Sequence, residues 1–136
     1  MTTKRLAPQL LVGRAMLAAL FLVSGLGKIG RFAAVAGFMT SKGLPAAELL
    51  LVSTILLEVG CALALLVGWH TRTAAWLLMA FTALASILFH GFWSPGTPTL
   101  PNQFNDFLKN GAIMGGLMYL GAIGAGAWSL DARIRS

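Results

Sequence analysis

The stretch AAELLLVSTILLEVGCALALLVGW, residues 46–69, is long enough to cross a bilayer as a helix, which takes about 20 mostly apolar residues. It nevertheless carries Glu58 near its middle. Three further apolar segments surround it in the chain, at about residues 6–27, 73–93 and 107–128, and two of them also hold a charge, Arg14 and Lys109. Ionisable side chains at membrane depth are costly enough to mark function or interior pairing. The spacing therefore predicts an all-α integral membrane four-helix bundle, a single domain over residues 1–136.

Composition agrees. The chain is 57% hydrophobic and 10% charged, with a mean hydropathy of +0.81. A soluble domain carries about 25% charged residues, so this chain has too little polar surface to face water. Four spans use most of its 136 residues and leave no room for a folded extramembrane domain. Its net charge of +6 would suggest nucleic acid in a soluble protein. Here the basic residues sit mainly at span ends, where headgroups and topology explain most of them.

The first span has the look of a secretory signal, with Lys4 and Arg5 before an apolar run and small residues at Val23-Ser24-Gly25. Arg14 interrupts that run and three spans follow, so a retained helix is the preferred reading. Lys4 and Arg5, Arg72, and Arg133 with Arg135 cluster on one side; Lys28, Arg31 and Lys42 lie on the other. The positive-inside rule then favours both termini in the cytoplasm. Between spans one and two, Phe32, Val35, Ala36 and Met39 recur at helical spacing before Gly43 and Pro45, which predicts a short interfacial helix. Three prolines within residues 93–101 predict an irregular lid ending near Asn102.

At about 1.5 Å of rise per residue, Arg14 and Glu58 both fall some 18–20 Å from the outer end, and at that shared level they are expected to pair. Nearer the outer rim stand Lys28, His90, Asn105, Lys109 and Asn110, with Asp106 three residues before Lys109. Together these groups form a cationic, donor-rich rim suited to an oxyanion or to the carbonyl oxygens of a quinone. Taken singly, Lys28 and Lys109 are also well explained by snorkelling to headgroups.

Other signals lead away from chemistry. Gly25-Leu26-Gly27-Lys28 lacks the remaining elements of a phosphate loop, so no nucleotide is expected. Cys61 is alone, which excludes a dithiol pair, and His70 and His90 fall on opposite sides of the membrane, which argues against a shared metal. Gly111-x-x-x-Gly115, followed by Gly116, Gly121, Gly124 and Gly126, makes the fourth span smooth enough for close helix contact or for dimerisation. Trp69, Trp76, Trp93 and Trp128 read as interfacial anchors.

Arg14, then Phe21-Leu22-Val23-Ser24-Gly25-Leu26-Gly27-Lys28, Gly43-Leu44-Pro45, Glu58-Val59-Gly60, Gly68-Trp69-His70-Thr71-Arg72, His90-Gly91-Phe92 and Phe107-Leu108-Lys109-Asn110 follow one another in an order that resembles the DoxX family of small four-helix membrane proteins. The resemblance covers nearly the whole chain. It implies an inner-membrane component of an oxidoreductase system, linked to quinone and sulfur oxidation or to oxidative stress.

Two functional readings stand. In one, the outer rim binds a quinone or a small sulfur oxyanion through Lys28, His90, Lys109 and Asn110, while Arg14 and Glu58 balance or conduct a proton. In the other, the chain is a non-catalytic anchor for a redox partner protein, and its polar groups only specify the bundle. A transporter is a weaker third reading, because no inverted repeat is visible. No residue pair has the nucleophile-and-base logic of a hydrolase. Lipid, a redox protein and a second copy of the chain are the partners to expect, without nucleic acid.

Overall fold

A computed structural model describes residues 2–89 and 100–136, and among them the chain is all-α. The elements in order are α1 (Thr2–Arg5), α2 (Ala7–Gly30), α3 (Phe32–Ser41), α4 (Ala47–Val67), α5 (Thr71–Phe89), α6 (Leu100–Ile123) and α7 (Leu130–Ile134). Helices α2, α4 and α5 are long and apolar enough to cross a membrane. Helix α4 packs against α2 and α5, α6 packs against α5, and α2 touches α6 to close the ring. The end holding α3 is termed upper, and the end holding both termini lower.

Each long helix buries one stripe and exposes the rest. On α4 the buried positions are Ala47, Leu51, Ile55, Glu58, Ala62 and Leu65, the three-and-four spacing of one helical face. Large apolar residues on other faces, among them Val12, Met16, Val23, Leu49 and Leu56, are exposed. In water such a surface would drive association; against lipid it is the expected exterior. The interior is built from small residues, with Ala18, Ala62, Ala74 and Ala75 fully or almost fully buried around Leu65, Leu78 and Leu117. Without a hydrophobic drive between helices in lipid, close backbone approach supplies the packing, and small side chains permit it.

The expected short helix is present as α3. Its Ala36 and Met39 pack on Ala47, Leu51 and Ile55 of α4, a second core at the upper end. It stops at Gly43, whose φ of +82° allows Leu44 N–H to reach Met39 O and Gly43 N–H to reach Thr40 O. Gly68, at φ +73°, ends α4 the same way, with Trp69 N–H on Ala64 O. Such paired closures satisfy the last carbonyls of a helix and favour glycine at the left-handed position.

Two boundaries differ from the sequence reading. Helix α6 starts at Leu100, with Pro101 in its first turn, and ends at Ile123, where Gly124 and Gly126 adopt φ of +91° and +82°. Proline is tolerated there because first-turn N–H groups have no partner within the helix. The apolar residues 124–128, expected to finish the fourth span, instead turn back beneath the lower end. Gly121 lies under the Trp76 indole, where an added Cβ would come within 2.8 Å of the ring, whereas Gly111 and Gly115 face open space. Trp93, His90 and the expected lid as far as residue 99 lie outside the described residues, whereas residues 100–102, expected to finish that irregular lid, open α6 as helix.

Candidate functional site

Gly25 lets α2 approach α4 closely: a Cβ there would meet Val59 Cγ2 at 2.8 Å and Glu58 Cβ at 3.3 Å. Ser24 and Lys28, four residues apart on one helical face, are thereby brought over Glu58. The Lys28 ammonium donates to Glu58 Oε2 at 2.6 Å and to Ser24 Oγ at 2.9 Å, and Ser24 Oγ donates to Glu58 Oε1 at 2.9 Å. Glu58 is 2% exposed and the Lys28 side chain 23%. The three groups close a ring of charge-assisted hydrogen bonds, and an ammonium has a third donor besides the two used here.

This ring forms part of the wall of a cavity of about 600 Å³, within the ordinary 300–1,000 Å³ range for small-molecule sites. Phe21, Phe38, Phe81 and Phe89 line it together with Leu20, Val35 and Met39. Lys28 Nζ stands 5.9 Å from the Phe81 ring centre. On the opposite wall Asn110 Nδ2 donates to Ser86 Oγ at 2.9 Å, and Ser86 donates to Thr82 O at 2.8 Å. Asn110 thus ties α6 to α5 while lining the cavity, and Arg31 adds a second cation. The arrangement can hold an amphipathic molecule against aromatic walls, offer donors to its polar end and exchange a proton through Glu58.

The expected Arg14–Glu58 pair is not formed. Arg14 donates instead to Ala125 O at 2.5 Å and to Trp128 O at 2.8 Å, and is 1% exposed. The cause is register. Gly25 faces Glu58, and Arg14 lies against Gly68, so the two charges stand ten or eleven residues apart along the helices, roughly 15 Å. Carried along, that register sets Gly30 opposite about residue 53, so α4 overhangs α2 by about six residues, or roughly 9 Å. The depth estimate took the two span ends as flush; α3 covers the overhang.

Lys109 and Asn105 do not join the cavity either. Lys109 is 75% exposed at its side chain and lies 3.9 Å from Asp106. Asn105 is exposed. Asn110 sits on the inward face of α6, and the residue before it is turned about 100° away at 3.6 residues per turn. Of the proposed rim, Lys28 and Asn110 line the cavity, and His90 lies outside the described residues. Ser24, Thr82 and Arg31 were missed. Ser24 was legible from its four-residue offset to Lys28.

Beneath Arg14 the lower end is locked by the tail. Asp131 accepts from His70 N–H at 2.8 Å and Thr71 N–H at 3.0 Å, while its own N–H donates to Gly68 O at 2.8 Å. Burial pushes the Asp131 carboxyl up, but the hydrogen bonds from Thr71 and His70 and the nearby imidazole outweigh it and hold it below its ordinary value. Ser129 caps α7 by accepting from Ala132 N–H. Among the described residues, no group of three or more His, Cys, Asp or Glu could hold a metal ion.

Three membrane-length helices around an interior charge pair define a small multi-span membrane protein. The chain belongs to the DoxX family, which matches residues 9–91, a range that includes Lys28 and Glu58. It is 40% identical over 121 residues to the inner membrane protein YqjF of Escherichia coli K12, covering 89% of this chain and 88% of that protein. It is 32% identical over 125 residues to the inner membrane protein YphA of the same organism, covering 91% and 89%. No solved structure matches.

Proposed function

We propose that this chain is a bacterial inner-membrane component of an oxidoreductase system, and that its upper cavity holds a quinone head group. Helices α2, α4, α5 and α6 form a four-helix transmembrane bundle, with α6 shielding its polar first turns at the upper surface. Both termini are cytoplasmic, because Lys4, Arg5, Arg72, Arg133 and Arg135 belong to the lower end. Relatives named as inner membrane proteins support that location.

The observation that carries the ligand reading is a neutralised charge pair in an aromatic-walled cavity. Since Glu58 already balances Lys28, and the second cation, Arg31, is exposed, the buried wall of the cavity offers hydrogen-bond donors with little net charge, which favours a quinone carbonyl over a sulfur oxyanion. One carbonyl oxygen accepts from Lys28, the ring lies among the phenylalanines, and Asn110 faces the other end. Glu58 and Ser24 relay a proton to or from the bound head group. The resemblance to DoxX proteins of quinone-linked systems agrees with this reading.

The test is solvent extraction of protein purified in mild detergent, followed by titration of the delipidated protein with a short-chain quinone. Bound quinone and saturable binding that weakens at least tenfold in Lys28→Gln support the proposal. Quinone-free extracts with no saturable binding overturn it. A stoichiometric partner protein in the same quinone-free preparation moves the assignment to the anchor reading.

A further inference from the structure

The lower end contains a second cavity, of about 620 Å³, walled by the α4–α5 turn, residues 123–127 and the tail. Its ionisable lining residues are Lys4, His70, Arg72, Asp131 and Arg135. Asp131 is the single carboxylate, and both of its oxygens are engaged by backbone N–H groups of the turn. Three permanent cations therefore face one carboxylate that is already satisfied. The cavity shares Ile123 with an apolar groove of about 470 Å³ that runs up between α2 and α6 past Gly13, Leu17, Leu20 and Tyr119. A basic pocket at one end of a membrane protein, continued by an apolar slot along two spans, has the shape and polarity of a lipid.

One buried donor at this junction has no hydrogen-bond partner among the described residues. It is Arg14 Nε, on a groove-lining residue that is 1% exposed. Buried donors in this state are uncommon and call for an acceptor. It has no role in the upper cavity. We infer that the lower cavity and the α2–α6 groove together bind one anionic phospholipid, its phosphate among Lys4, Arg72 and Arg135 and an acyl chain along Gly13 and Leu17. The groove shares Leu20 with the upper cavity but no side chain with the charge pair at Glu58, so this site does not rest on the quinone reading.

A phosphate ester without acyl chains offers the same headgroup chemistry, so the experiment separates the two sources. Protein delipidated in neutral detergent is titrated with phosphatidylglycerol, with phosphatidylcholine of the same acyl chains, and with glycerol phosphate, and binding is read by native mass spectrometry. Phosphatidylglycerol is expected to bind at least tenfold more tightly than phosphatidylcholine. Lys4→Gln with Arg135→Gln removes two cations that make no hydrogen bond within the chain among the described residues, so the fold is retained. That double variant should lose roughly thirtyfold toward phosphatidylglycerol, the summed contribution of two basic residues near an anionic headgroup. Gly13→Leu fills the groove from a position whose Cβ would meet nothing within 4 Å, and it should weaken lipid binding without lowering the melting temperature. Equal affinity for the two lipids, or indifference to the double variant, overturns the inference. Displacement of bound lipid by an equal concentration of glycerol phosphate would also overturn it, because the groove would then contribute nothing.

Discussion

Replacing Glu58 by Gln removes one charge and almost no volume, which isolates the electrostatic part of the α2–α4 contact. In the native protein the carboxylate is 2% exposed and accepts from Lys28 at 2.6 Å and Ser24 at 2.9 Å. Breaking a fully buried ion pair costs about 3–5 kcal/mol, because the remaining charge is stranded. Lys28 keeps 23% of its side-chain surface exposed, and the Gln carbonyl can still accept one hydrogen bond, so the expected loss is about 2–3 kcal/mol. Lys28→Met strands the more deeply buried partner and should cost about 3–5 kcal/mol.

The double variant strands nothing. It should therefore be less destabilised than Lys28→Met alone, which amounts to a coupling energy of about 2 kcal/mol or more in a double-mutant cycle. Equilibrium unfolding of the four proteins in mixed maltoside and dodecyl sulfate micelles, followed by circular dichroism, measures each corner of the cycle. A coupling below about 0.5 kcal/mol, the usual scatter for independent sites, would refute the claim that Lys28 and Glu58 are each other's counter-charge.

Arg14→Lys should release residues 124–136 to limited proteolysis, since one ammonium does not reproduce the planar two-carbonyl contact with Ala125 and Trp128; the loss is about 2–4 kcal/mol. Gly25→Ala adds a Cβ within 2.8 Å of Val59 Cγ2, and that clash should outweigh the gain of about 1 kcal/mol from better helix propensity, lowering the melting temperature and weakening quinone binding together. Asp131 is held below its ordinary carboxyl value, so its stabilisation is complete above about pH 4 and is lost as pH falls through the lower native value; Asp131→Asn should flatten the acid limb of a melting-temperature profile against pH. Lys109→Met should change stability by less than about 0.5 kcal/mol and leave quinone binding unaltered, because its pairing with Asp106 is surface-exposed at 3.9 Å.

The fold was legible because long apolar segments and glycine stops act locally. Residues 46–69 announce a span by length, and Gly43 and Gly68 end helices at the left-handed positions only glycine adopts easily. Pairing of charges between helices is different, since it depends on how far each helix slides past its neighbour. Of the ten or eleven residues that separate Arg14 from the level of Glu58, about six come from the overhang of α4 and the rest from helix ends that differ from the expected ones, α2 running on to Gly30 and α4 starting at Ala47. Helix α3 packs on Leu51 and Ile55 over the overhanging part of α4, a contact between helices whose register no single segment's pattern reports. The facing of α6 was likewise hidden: Lys109 and Asn110 are neighbours in sequence, and only packing against α5 decides which one points inward.

The two buried charges are neutralised by different means, and the difference separates architecture from chemistry. Arg14 is satisfied by carbonyl oxygens of a folded-back tail, acceptors that do not titrate, and any movement of that guanidinium would unlock residues 124–129. It is suited to holding a helix end in place. Lys28 and Glu58 are satisfied by each other and by the Ser24 hydroxyl, side chains rather than backbone, on the wall of a cavity large enough for a ring. A hydroquinone hydroxyl entering between them could exchange its proton with Glu58 while Lys28 kept the local charge in balance. The closeness that Gly25 permits seats the pair directly helix against helix, so its contribution to the fold runs through α2 and α4. For that reason ligand binding and fold stability are separable at Asn110 and Phe81, which line the cavity beyond the pair, and coupled at Lys28 and Glu58, which hold α2 to α4.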